Sequence, residues 1–224
     1  MTAYSVEPTA APRRVLAIRN AGWPRIFARW LGRIGVRPNA VSIAGVVFAL
    51  GAGVAFYLVP EVRLVGGRAG LLIVAAASVQ LRLLCNLLDG MLAVEEGFKS
   101  KTGEIYNDLP DRVADVFILV GAGYSARYLP YGATLGWAAA ALALFTAYVR
   151  MLGASLGVTQ HFIGPMAKQH RMFTLTVFTF LAAAETLIGM PPRAIRAGLG
   201  VIVAGSIVTA FRRTRRIAVE VEAR

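Results

Sequence analysis

The stretch that decides the fold reads Asn86-Leu-Leu-Asp89-Gly90-Met-Leu-Ala93 and resumes, after a polar segment, as Gly103-Glu-Ile-Tyr-Asn107-Asp-Leu-Pro-Asp111. It places carboxylates and carboxamides at the adjoining ends of two apolar segments. Ionisable groups are costly at membrane depth, so they indicate a functional site. Residues three and four apart share a helix face, which predicts that Asn86 and Asp89 line one helix and Asn107 and Asp111 the next. If the two faces meet, their oxygen atoms converge into a set of ligands that suits a hard cation such as Mg²⁺.

The composition is that of a membrane protein. The chain has 224 residues, of which 57% are hydrophobic and 16% charged, and this balance is unusual for a soluble domain. The formal net charge is +12. No aromatic-basic RNA motif accompanies this charge, so we expect no nucleic-acid partner and expect anionic membrane lipids instead. The single cysteine, Cys85, lies in an apolar stretch and is assigned to packing.

Apolar runs of roughly 20 residues, the length that a bilayer crossing needs, organise most of the chain. The predicted fold class is an all-α integral membrane protein with six transmembrane helices preceded by an N-terminal amphipathic interfacial helix. The predicted segments are a disordered N-terminus (1–12), an amphipathic juxtamembrane helix (13–37), a six-helix domain (38–211) and a basic tail (212–224). The six spans are expected at about 40–59, 69–92, 108–129, 132–153, 172–188 and 195–211.

Lysine and arginine are distributed unequally between the loops, which predicts the orientation. With an even number of spans both termini share a side, and that side carries the arginines of 13–37, Lys168 and the basic run 212–216. We therefore expect both termini and the site to be cytoplasmic, in a bacterial inner (plasma) membrane. Tryptophan and arginine at helical spacing predict that 13–37 lies on the anionic inner surface. An ordinary solvated charged face is the alternative.

The polar stretch resembles the CDP-alcohol phosphotransferase signature, D-x2-D-G-x2-A-R-x8-9-G-x3-D-x3-D. The alignment needs no gaps, and five positions match: Asp89, Gly90, Ala93, Gly103 and Asp111. Three positions depart from it: Asn86 and Asn107 stand where the family has aspartate, and Val94 stands where it has arginine.

The resemblance implies a membrane transferase of phospholipid biosynthesis. Such an enzyme moves a phosphatidyl group from CDP-diacylglycerol to an alcohol and releases CMP. The acceptor stays open among glycerol phosphate, inositol phosphate, serine and another lipid. Family members are often dimers, so a homodimer is expected.

The resemblance also implies roles for individual residues. The expected metal ligands are Asn86, Asp89, Asn107 and Asp111. Asp89 and Asp111 are also the expected catalytic residues, with Asp111 as the general base or as a second metal ligand. Four aspartates serve a two-metal site in the family; with two of them replaced by asparagine, we expect one Mg²⁺ or Mn²⁺ to be held more tightly than a second. The small residues Gly90, Ala93 and Gly103 would let the nucleotide approach the backbone, or would serve helix packing alone.

Basic residues near the stretch are expected to bind phosphate. Arg82 is expected to pair with Asn86 and Asp89 and to supply charge that a metal would otherwise supply; the alternative is that it only joins two helices. Asp115 is expected to support Arg112 or Arg82. A second basic cluster comprises Arg150, Lys168 and Arg171. It would bind a phosphate of the acceptor or the diphosphate, or it reflects topology alone.

Two other classes of function remain open. A catalytically weak or inactive relative that binds CDP-lipid or lipid would also lose acidic ligands. Against it, Asp89 and Asp111 persist, and both changes are to asparagine, which keeps a side-chain oxygen. A small transporter is disfavoured because the charges cluster at one leaflet rather than at the midplane, where transporter sites lie.

Overall fold

The computed structural model describes residues 22–95, 103–159 and 162–223, except for the side chains of 93–95, 103–104 and 106–107. The described part contains seven α-helices and a 3₁₀ turn, Val59–Glu61, that follows the second helix. The helices are α1 (Gly22–Arg33), α2 (Pro38–Leu58), α3 (Val65–Glu95), α4 (Gly103–Ser125), α5 (Gly132–Ser155), α6 (Lys168–Leu187) and α7 (Arg193–Glu222). The segment 1–12, expected to be disordered, and the first part of the amphipathic segment, 13–21, lie outside the described residues.

The chain is an all-helical integral membrane protein. Among the described residues, four helical segments are long and apolar enough to cross a membrane: Pro38–Glu61, Val65–Leu92, Gly132–Ser155 and Arg193–Glu222. Helices α4 and α6 are not in this set because polar and charged side chains interrupt their apolar sequence, including Asp111 and Asp115 in α4 and Arg171 in α6. The count of six spans therefore stays a prediction.

Helices α2 to α7 pack in a ring. Helix α2 contacts α3 and α4, α4 contacts α5, α5 contacts α7, α7 contacts α6, and α6 contacts α3. Small residues allow the backbones to approach closely, as is usual between membrane helices. A Cβ atom on Gly121 would lie 2.6 Å from the Cα of Gly53, and one on Gly123 would lie 2.7 Å from the Cα of Gly136. These glycines fix the α2–α4 and α4–α5 contacts.

Helix α1 has two different faces. Ala28 is buried and belongs to an apolar cluster that includes Leu87 and Leu88 of α3. Several large apolar side chains on the helix are exposed: Trp23, Ile26, Phe27 and Trp30. An exposed aromatic face next to Arg25, Arg29 and Arg33 suits a helix that lies at a membrane surface, because lipid would cover that face.

Candidate active site

Helices α2, α3 and α4 surround an open cavity. Its lining residues are Ser42, Gly45, Val46, Arg82, Cys85, Asn86, Asp89, Pro110, Asp111 and Ala114. Asp89 from α3 and Asp111 from α4 thus line the same cavity, although 22 positions separate them in the sequence. The i, i+3 spacing of Asn86 and Asp89 places both on the face of α3 that turns toward this cavity.

Asp89 has one oxygen bound and one open. Its side chain is 4% exposed. Oδ2 accepts a hydrogen bond of 2.7 Å from Ser42 Oγ, whereas Oδ1 is buried and has no hydrogen-bond partner among the described residues. A buried carboxylate oxygen without a donor is costly. Asp89 Oδ1 is therefore the most suitable protein atom in this cavity to receive a cation.

Asp111 is fully hydrogen-bonded. Oδ1 accepts from Arg82 Nη2 at 3.1 Å and from Asn86 Nδ2 at 3.0 Å. Oδ2 accepts from the Lys168 ammonium, which also donates to Asn86 Oδ1 at 2.9 Å. Helices α3, α4 and α6 are thus joined at Asp111 by charge-assisted hydrogen bonds, which are stronger than neutral ones.

A buried ion network lies behind the cavity. Asp115, fully buried, accepts from Arg82 Nη2 and Arg171 Nη2, both at 3.1 Å. Arg171 also donates to Thr146 Oγ1 and to the carbonyl of Met166. The predicted pairing of Arg82 with Asp89 within α3 is wrong. Asp89 accepts a hydrogen bond from Ser42 instead. Helical side chains lean toward the N-terminus of their helix, so Arg82 leans away from Asp89 and reaches across to α4.

The three residues of the second basic cluster pair with three different carboxylates: Arg150 with Asp108, Lys168 with Asp111 and Arg171 with Asp115. Arg150 Nη2 donates to Asp108 Oδ1 at 2.8 Å, and Arg112 donates to the same oxygen at 3.2 Å. Arg171 is committed to Asp115, and neither Arg150 nor Arg171 lines the cavity. Of the three basic residues in this cluster, the structure connects Lys168 most directly to the cavity, through its hydrogen bonds to two lining residues.

The connection between α5 and α6 positions Lys168. Gly164 has φ +116°, and a Cβ atom there would lie 2.6 Å from Thr209 of α7. Thr209 Oγ1 accepts a hydrogen bond of 2.9 Å from the backbone N–H of Met166. This contact fixes the loop against α7 and brings the first residue of α6, Lys168, to Asp111. The spacing of Gly164 and Lys168 thus has a geometric reason.

The remaining candidate residues lie near the end of α3 and the start of α4. Gly90 follows Asp89 in α3 and is partly buried. Ala93, Gly103 and Asn107 belong to helices, but their side chains lie outside the described residues. Sequence reasoning missed Ser42, although a hydroxyl near the start of a mostly apolar helix was a usable signal.

The cavity offers one open carboxylate oxygen that could contact a divalent ion. Asp89 Oδ1 is open. The oxygens of Asp111 accept hydrogen bonds from Arg82, Lys168 and the Asn86 amide. The carbonyl oxygen of Asn86 accepts from Lys168. Among the described residues, no three His, Cys, Asp or Glu side chains form a group that could hold a metal ion. Among the described side chains, a second ion would need oxygens that are already engaged in hydrogen bonds.

Comparisons with known proteins bear on the fold. No family model matches the chain. A protein of Aquifex aeolicus (strain VF5) described as uncharacterized is 27% identical over 191 residues, covering 84% of this chain and 85% of its own length.

Three solved structures of Mycobacterium tuberculosis phosphatidylinositol phosphate synthase (PgsA1) are similar, each 20% identical. The form with CDP-DAG bound superposes with a TM-score of 0.71, covering 88% of this chain and 94% of that one. The complex with manganese and citrate has a TM-score of 0.71, with 87% of this chain and 88% of that chain covered. The apo form has a TM-score of 0.68, with 85% of this chain and 93% of that chain covered. The fold implied by the sequence resemblance is therefore confirmed: the chain has the helical membrane fold of phosphatidylinositol phosphate synthase.

Proposed function

We propose that this chain transfers a phosphatidyl group from CDP-diacylglycerol to an alcohol and releases CMP. The observation that carries the proposal is a pair of unsatisfied buried atoms. Asp89 Oδ1 and Arg82 Nη1 are buried, have no hydrogen-bond partner among the described residues, and belong to side chains that line one cavity. One is an acceptor and the other a donor. A diphosphate that enters with a divalent cation would satisfy both.

The charges around the cavity support the same ligand. The cavity and the ion network behind it contain three carboxylates, Asp89, Asp111 and Asp115, and three cations, Arg82, Lys168 and Arg171. Their formal charges cancel. A divalent cation and a CDP-lipid diphosphate with two negative charges also cancel, so they can enter together without leaving net charge in a low-dielectric site. A second divalent ion would leave an excess of two positive charges.

The described residues then have distinct tasks. Asp89 would hold the ion, which when bound would neutralise charge on the diphosphate and orient it. Arg82 would donate to a phosphate oxygen and would be held in place by Asp111 and Asp115. Asp111 would accept the proton of the attacking hydroxyl when Lys168 releases Oδ2. Positioning and electrostatics of this kind supply most of the catalysis of phosphoryl transfer.

The proposed setting is the cytoplasmic leaflet of a bacterial inner membrane, with six spans and an N-terminal surface helix. The exposed aromatic face of α1 and its arginines support attachment to anionic lipid. The matching structure that holds CDP-DAG and the one that holds manganese support the donor lipid and a divalent cofactor, Mg²⁺ or Mn²⁺. The segment 38–211 is the proposed catalytic domain. We also propose a homodimer, because members of the family that the sequence resembles are often dimers.

A lipid-binding protein without turnover is the second candidate. The observation that favours it is Asp111, whose two oxygens both accept hydrogen bonds from neighbouring side chains. With donors on both oxygens, Asp111 has neither oxygen free to accept the hydrogen of an attacking hydroxyl unless a donor moves away.

One experiment separates the two candidates. Purified protein in lipid nanodiscs is incubated with labelled CDP-diacylglycerol, Mg²⁺ and a panel of alcohols, and both CMP release and retained CDP-lipid are measured. The transferase predicts CMP release that depends on one class of acceptor. Retention of CDP-lipid without CMP release for any acceptor would favour the second candidate.

A further inference from the structure

The Lys168 ammonium occupies a position between two side-chain oxygens. It donates to Asn86 Oδ1 at 2.9 Å and to Asp111 Oδ2. The Lys168 side chain is 19% exposed and that of Asp111 is 15% exposed, so the contact is largely shielded from water. Two oxygens from neighbouring helices that hold one cation make a cation site, and here the cation is part of the chain.

Asn86 makes this arrangement specific. Its amide donates to Asp111 Oδ1 at 3.0 Å, which turns its carbonyl oxygen toward Lys168. An ionised aspartate at position 86 has no donor and would face Asp111 as a second negative charge. The asparagine and Asp111 together carry one negative charge, and the ammonium balances it. Such a pair of ligands is matched to a monovalent cation.

The position of Lys168 in its helix also indicates that the loop and the ion pair hold it at Asp111. Lys168 is the first residue of α6, and Arg171 lies in the same turn. Cations at a helix N-terminus are disfavoured because the helix dipole is positive there. The contact of Gly164 and Met166 with Thr209 nevertheless fixes the preceding loop so that Lys168 reaches Asp111. The ion pair with Asp111 offsets the unfavourable dipole.

We propose that the Lys168 ammonium is a built-in cation of the site, filling the place between Asn86 and Asp111 that a divalent ion would otherwise take. The described side chains then hold one divalent ion, at Asp89, and offer no second divalent site. The inference rests on the proposed function, because it gives Lys168 a part in that site. It also gives a reason for the asparagine at position 86, whose amide donates to Asp111 while its carbonyl oxygen accepts from Lys168.

The test counts bound Mn²⁺ by electron paramagnetic resonance on the full chain in nanodiscs that contain CDP-diacylglycerol and no alcohol acceptor. Wild type is expected to bind about one Mn²⁺ per chain, at Asp89. The double variant Asn86→Asp/Lys168→Met removes the ammonium and adds a carboxylate, so it is expected to bind about one more, with spin coupling between the two neighbouring ions. Arg212→Met, which removes an exposed cation from α7, is the matched control and is expected to keep the wild-type count.

Two Mn²⁺ on wild type would overturn the inference, and so would an unchanged count in a folded double variant. If the double variant does not fold, acetylation of wild type provides the test. We expect saturating Mn²⁺ to leave the labelling of Lys168 unchanged. Increased labelling would show that a metal displaces Lys168 and would overturn the inference. Lys99 and Lys101 are internal references in the same mass spectra. A chain with the expected Mn²⁺ count that releases no CMP would contradict the proposed transferase but not the metal count, so the two failures are distinguishable.

Discussion

Replacing Asp115 with asparagine tests the buried ion network that holds Arg82. Asp115 is fully buried, and the side chains of Arg82 and Arg171 are each 2% exposed. Asparagine keeps one acceptor but turns an N–H₂ group toward one of the guanidinium groups. Breaking a buried pair costs about 3–5 kcal/mol, because a charge is left uncompensated. In the variant, Arg82 keeps its ion pair with Asp111, and Arg171 keeps its hydrogen bonds to Thr146 and to the Met166 carbonyl. We therefore expect a loss of unfolding free energy at the low end of this range, about 3 kcal/mol.

The matched control is Asp108→Asn on the same helix. Asp108 also lies between two arginines, but its side chain is 39% exposed, so its loss is expected to cost under about 1 kcal/mol. Both free energies are measured by equilibrium unfolding in mixed detergent micelles. An Asp115→Asn protein within about 1 kcal/mol of wild type, or equal to Asp108→Asn, would refute the account of this network.

Two further predictions concern packing and the environment of Asp89. Gly121→Ala would place a Cβ atom 2.6 Å from Gly53, so unfolding free energy should fall by about 1–3 kcal/mol. Gly70→Ala, with nothing within 4 Å, should be neutral or stabilising by up to about 1 kcal/mol; equal effects of the two variants in the same unfolding assay would contradict the close approach of α2 and α4. Ser42→Ala removes the donor to Asp89 Oδ2 and should weaken Mn²⁺ binding by about 10–100-fold in a calorimetric titration; unchanged affinity would remove Ser42 from the site.

Hydropathy predicted the helical membrane fold because a bilayer requires long apolar helices with internal backbone hydrogen bonds. It predicted helix ends less well. Helix α7 runs from Arg193 to Glu222, whereas the apolar pattern suggested 195–211. The backbone hydrogen bonds of a helix do not stop where its side chains become polar. Buried Arg213 shows this, since it lies beyond the predicted span and donates to backbone carbonyls of Thr146 and Ile163.

Part of the site followed from helical spacing. Two residues on one face of a helix stay together in any fold, so Asn86 and Asp89 could be grouped from the sequence. The meeting of Asp89 with Asp111 also needed the packing of α3, α2 and α4, which the family resemblance supplied. Spacing alone does not state which helices are neighbours.

The pairing of cations with carboxylates could not be predicted in the same way. Lys168 lies 57 positions from Asp111, and Arg171 lies 56 from Asp115. Which cation meets which carboxylate depends on the position of α6 in the ring and on a loop held by Thr209. Arg82 illustrates the point, because its nearest acidic residue in the sequence, Asp89, is not its partner in the structure.

The most direct test of the central claim is Mg²⁺-dependent CMP release from CDP-diacylglycerol by wild type, Asp89→Asn and the control Glu61→Gln. Glu61 is an exposed carboxylate at the other end of α2, paired with Arg127. The account predicts that Asp89→Asn lowers the rate by at least about 100-fold, because the open oxygen that would hold the ion loses its charge. Glu61→Gln should retain the wild-type rate. A wild-type rate in Asp89→Asn, with the same dependence on Mg²⁺, would contradict the claim that this cavity binds the diphosphate through Asp89.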